Sequence, residues 1–60
     1  MRLYRRLTDR ELDELRGAFL LDRVRSADKG NRMTVAFCDD RIACIDAEVA
    51  RRTRRASGEP

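Results

Sequence analysis

The sequence predicts an all-α chain: an antiparallel helical hairpin, with helices over about 8–29 and 33–55, that self-associates into a four-helix bundle. Three observations lead there. A capping pattern at Thr8 and Glu11 opens a helical stretch that closes at Gly30. Val35, Cys38, Ile42, Ile45 and Val49 recur at spacings of 3, 4, 3 and 4. Apolar residues also spread around both helices more widely than a single partner helix can cover.

The first helix has a well-marked start. Thr8 and Glu11 can each satisfy the other's orphan backbone N–H, and Leu7 before the cap can pack on Leu12. Asp9 and Glu11 place negative charge at the positive end of the helix dipole. Gly30, followed by Asn31, supplies the left-handed residue that ends the helix. Gly17 lies within it and costs roughly 1 kcal/mol relative to alanine; it reads as tolerated.

The second segment admits two drawings. Residues 34–38 and 41–45 are β-prone runs around Asp39-Asp40, which suits a hairpin. A two-residue turn prefers a glycine that Asp-Asp lacks, however, and the heptad through Val49 favours a helix. A second stripe of Ala36, Ala43, Ala47 and Ala50 would let a neighbouring helix come close. Met33, Phe37 and Cys44 fall on a third sector.

Each helix is about 33 Å long at 1.5 Å per residue. The short link from Lys29 to Met33 folds them back on each other. With the turn at Gly30 to Arg32, facing residues have numbers adding to about 62, so Arg16 meets Asp46 and Arg23 meets Asp39. Exposed pairs of this kind add little stability, and their expected role is to choose the register. Two helices leave Leu21, Met33, Phe37 and Cys44 without cover, and these are the candidate contacts to a second chain.

Composition narrows the function. The 60 residues form one domain, with 1–7 a basic lead-in and 56–60 a disordered tail. There is no histidine and only one lysine, so the usual general bases and metal ligands are scarce and an enzyme is not expected. No cofactor or metal is implied: Cys38 and Cys44 are six apart with no further ligand, and read as core thiols. Two cysteines do not make a disulfide framework, no apolar run approaches a membrane span, and no secretory signal is present. A reducing cytoplasm fits these features.

The charge is unevenly placed. Residues 1–10 carry a net +3, residues 11–50 a net −3 and residues 51–60 a net +3. An antiparallel hairpin brings both ends together, gathering Arg2, Arg5, Arg6, Arg10, Arg51, Arg52, Arg54 and Arg55 at one pole. Like charges at this density favour a bound anion, and arginine–phosphate contact with RNA or DNA is the expected use. Arginine near a helix C-terminus is also ordinary dipole compensation, and Glu48–Arg52 reads as a surface pair. The layout resembles the Rop-type RNA-binding hairpin in length and arrangement, with no shared motif, so no residue roles transfer. The leading expectation is a small regulatory homodimer that contacts nucleic acid. The alternative is an adaptor or inhibitor of a larger protein, with no nucleic-acid contact.

Overall fold

The structure is a computed structural model that describes residues 2–58, with side chains from Tyr4 onward. It is all-helical: α1 spans Arg2–Arg5, α2 Asp9–Asp28 and α3 Arg32–Ala56. Helices α2 and α3 pack against each other as a hairpin, and α1 folds onto α3. The stretch that could be drawn as a β-hairpin is continuous helix. The molecule is a rod measuring 44 × 19 × 17 Å.

The α2 start is the reciprocal cap that Thr8 and Glu11 encode. The Glu11 N–H donates to Thr8 Oγ1 at 3.1 Å, and the Thr8 N–H donates to Glu11 Oε1 at 2.9 Å. These hydrogen bonds, the one from the Thr8 backbone foremost, hold the Glu11 carboxyl below its ordinary pKa. The α2 end is a Schellman motif. Gly30 takes φ 74°, its N–H donates to the Ala27 carbonyl at 3.1 Å, and the Asn31 N–H donates to the Ser26 carbonyl at 2.8 Å. Asn31 then caps α3 in turn, its side chain accepting from the Thr34 N–H at 3.2 Å. One glycine and one asparagine thus stop the first helix and start the second.

The register follows the expected pairing. Arg16 Nε lies 2.8 Å from Asp46 Oδ1, and Arg23 Nε lies 2.5 Å from Asp39 Oδ1. Cys38 and Ile45 of the heptad are buried, Val35 and Ile42 half-buried, and Val49 exposed. Phe19 and Phe37 meet edge to face across the hairpin, with centroids 6.1 Å apart.

Two parts of the chain differ from the sequence reading. The basic lead-in carries a structural element that was not expected: residues 2–5 form a helical turn, and Tyr4 is buried at 3% exposure. Tyr4 joins Leu12 and Ile45 in the core cluster, with Leu7, Leu15, Phe19 and Cys44 packed around it. At the other end α3 runs through Ala56, Ser57 caps it and Gly58 turns at φ 75°, so the tail does not begin at 56. Glu59 and Pro60, the rest of that tail, lie outside the described residues. Among the described residues, no helix is long and apolar enough to cross a membrane.

Candidate nucleic-acid interface

The chain ends do meet at one pole, but three of the eight arginines are spent within it. Arg52 is the organising side chain. Its Nη2 donates to the carbonyls of Leu7 at 2.6 Å, Tyr4 at 3.1 Å and Arg5 at 3.2 Å. The Tyr4 and Arg5 carbonyls lie at the end of α1, where a four-residue helix leaves its carbonyls short of internal donors, and Leu7 lies two residues beyond it. The same guanidinium reaches Asp9 Oδ1 through Nη1 at 2.7 Å and Glu48 Oε2 through Nε at 2.6 Å. Asp9 and then Glu48 raise the Arg52 pKa further above its already high value.

Glu48 is the counter-charge of the pole, and it is buried at 7% exposure. It corrects the reading of Glu48–Arg52 as a surface pair. Arg51 donates to Glu48 through Nε at 3.0 Å and Nη2 at 2.7 Å, a two-pronged contact that Arg52 completes from one residue on. The paired arginines, Arg51 first, outweigh burial and hold the Glu48 carboxyl at a pKa of about 2. Glu48 sits three residues after Ile45 on the inward side of α3, which is the signal that separates it from an ordinary i,i+4 pair.

Acidic side chains therefore offset part of the charge gathered at the pole. Arg51 and Arg52 are held by Glu48 and Asp9, and Arg10 pairs with Glu14 at 3.2 Å. Arg5, Arg6, Arg54 and Arg55 are exposed and make no ion pair among the described residues. Arg2 begins α1, and its side chain lies outside the described residues. Arg5 and Arg6 hang on the α1 end that Arg52 grips, and Arg54 and Arg55 occupy the last turn of α3. Four guanidiniums without acidic partners among the described residues thus border a pole whose Arg51 and Arg52 are neutralised by Glu48 and Asp9.

The residues singled out for contact with a second chain divide. Leu21, Met33 and Phe37 are exposed, Met33 at 85%. Cys44 instead packs against the Tyr4 cluster, and both cysteines are free thiols. Arg41 lies over the Phe37 ring, 5.3 Å from its centroid. Its guanidinium pKa is raised by Asp40, at 2.8 Å, and next by Tyr4. Among the described residues, no three His, Cys, Asp or Glu side chains converge as a metal site.

Fold and pole together define a small helical hairpin, strapped at one end by a third short helix and cationic at that end. Comparison of the chain with protein-family models, with curated proteins and with solved structures finds no match.

Proposed function

We propose that this protein is a small, non-enzymatic regulatory protein of the cytoplasm that self-associates as a helical bundle and contacts nucleic-acid phosphates through its arginine pole. The observation that carries the proposal is the division of labour among the arginines. Arg51 and Arg52 are consumed in building the pole, whereas Arg5, Arg6, Arg54 and Arg55 are left exposed without acidic partners among the described residues. Unpaired guanidiniums on an already folded backbone suit bidentate phosphate contacts, with only their side-chain rotamers left to order on binding. Tyr4 is the only aromatic residue near them and it is buried, so backbone contact is favoured over base stacking.

The test compares the purified protein before and after nuclease treatment, by absorbance ratio and by solution mass. Nucleic acid that co-purifies with the parent, and is absent from the variant with Arg5, Arg6, Arg54 and Arg55 all changed to alanine, supports the reading. A parent free of nucleic acid, and unable to retard an RNA hairpin or a DNA duplex at low salt, overturns it.

A second reading has its own observation. Met33 and Phe37, one helical turn apart in the first part of α3, are exposed, and large apolar side chains gathered at a surface are the usual mark of a protein contact. An adaptor or inhibitor using that end predicts that Phe37→Ala abolishes function while the arginine variant retains it.

A further inference from the structure

We propose that the face of the α2–α3 hairpin opposite α1 docks a second copy of this chain, laid antiparallel across it. This deepens the self-association proposed above by giving it a face and a direction.

The surface area calls for a partner of this size. The chain exposes 4928 Å², whereas a compact monomer of its 7.0 kDa mass exposes about 4,000 Å². The excess, roughly 900 Å², is close to the ~800 Å² that each partner buries in a standard protein interface. A Cα radius of gyration of 13.2 Å, against about 10 Å for a compact 60-residue domain, shows where the excess comes from: the hairpin is a two-helix layer.

The hairpin has two broad faces, and they are not equivalent. On one, α1 packs Tyr4 into the cluster that Leu15, Phe19 and Cys44 border, so a flat second layer would collide with the strap. The other carries the row Arg16, Leu20, Arg23 and Ala27 on α2, at spacings of 4, 3 and 4. The facing row on α3 is Val35, Asp39, Ile42, Asp46 and Val49, at the same alternation. The two ion pairs, Arg16–Asp46 and Arg23–Asp39, place both rows on one side. Leu20, Val24 and Val49 on or beside those rows are 39%, 57% and 43% exposed. Two grooves open on this face, one near the pole beside Leu12, Ile45 and Val49, the other at the turn beside Ala27 and Val35.

Charge sets the direction. The pole groove is bordered by Asp9, Asp13, Asp46, Arg16 and Arg52, and the ion pairs Arg16–Asp46 and Arg52–Asp9 leave Asp13 as its net charge; the turn groove is bordered by Arg32 and Asp39, and Asp39 is paired with Arg23, which leaves Arg32. Parallel packing would set acid on acid and pole on pole. A two-fold axis at the level of Asp22, midway between Leu20 and Val24, sets each Leu20 against the partner's Val24 and brings the partner's Arg32 toward Asp13. The two arginine poles then project at opposite ends, clear of the interface and of each other.

Sedimentation equilibrium over a dilution series tests this, with helical content followed by circular dichroism. The parent is expected at twice the chain mass. Changing Leu20 and Val24 together to glutamate should give a folded monomer, and Phe37→Glu, on the strapped side, should leave the dimer intact. Asp13→Arg should weaken the dimer about tenfold, and adding Arg32→Asp should restore it. A monomeric parent overturns the self-association itself, without bearing on phosphate contact at the pole. A dimer that survives the Leu20 and Val24 changes, or that Phe37→Glu dissociates, overturns the face. Failure of the Arg32→Asp rescue overturns the direction.

Discussion

The guanidinium of Arg52 grips the Leu7 carbonyl at 2.6 Å, joining residues 45 apart in sequence. Through that contact and its neighbours, the last helix holds the first helical turn in place. The chain spends one of its arginines on closing the pole from which others project.

Removing either end of this strap should free α1. Tyr4→Ala empties a fully packed aromatic site and should cost about 3 kcal/mol or more, measured by urea unfolding. Arg52→Ala should deprotect the Leu7 amide, which donates to the Tyr4 carbonyl at 3.3 Å, in hydrogen exchange while leaving the amides in the middle of α3 protected. Arg52→Lys should behave like alanine, because an ammonium cannot reach three carbonyls and two carboxylates at once.

Acid should open the same pole. Glu48 is held from an ordinary 4.5 down to about 2, so the folded form binds its proton more weakly than the unfolded chain does. Its stabilising contribution is full at pH values above the ordinary one and is lost as the pH falls through about 2. Thermal melts at neutral pH, pH 3 and pH 2 should therefore show a steep loss for the parent. Glu48→Gln should start less stable and lose less over the same range. Equal acid sensitivity in the two proteins would remove Glu48 from this role.

The glycines should respond in opposite directions. A Cβ at Gly17 meets nothing within 4 Å, so Gly17→Ala should stabilise α2 by about 0.5–1 kcal/mol. Gly30 sits at φ 74°, where a side chain is strained, so Gly30→Ala should destabilise by about 1–2 kcal/mol despite equally open space. Chemical denaturation of the two variants checks both.

The hairpin was legible because its determinants are local or periodic. Thr8–Glu11 is a three-residue signal, Gly30 marks one stop, and the 3–4 spacing of the α3 stripe rules out a strand. Even the register could be read, since Arg16 and Arg23 repeat with the same seven-residue period as Asp39 and Asp46. Exchanging charges across the seam, Arg16→Asp with Asp46→Arg, should accordingly keep the pairing. The strap was not legible. Four residues carry no helical period, and so short a helix does not pay its own nucleation cost. It forms because Tyr4 finds the Leu12–Ile45 cluster and Arg52 finds the α1 carbonyls, and both contacts join the two ends of the chain. The burial of Glu48 depends on the same long-range closure. Counting charges along the chain gave eight arginines at one pole, and only the closed structure separates those that build it from those left exposed.

If these exposed arginines bind phosphate, added salt must weaken that binding steeply. The most direct measurement is the salt dependence of binding to a labelled RNA hairpin and a DNA duplex, by fluorescence anisotropy between about 50 and 200 mM salt. With four phosphate contacts, the parent's affinity should fall about a hundredfold across that range. The variant with Arg5, Arg6, Arg54 and Arg55 changed to alanine, still folded around Arg52 and Glu48, should bind weakly with a nearly flat salt response. Binding by that variant as tight and as salt-sensitive as the parent's would contradict the account.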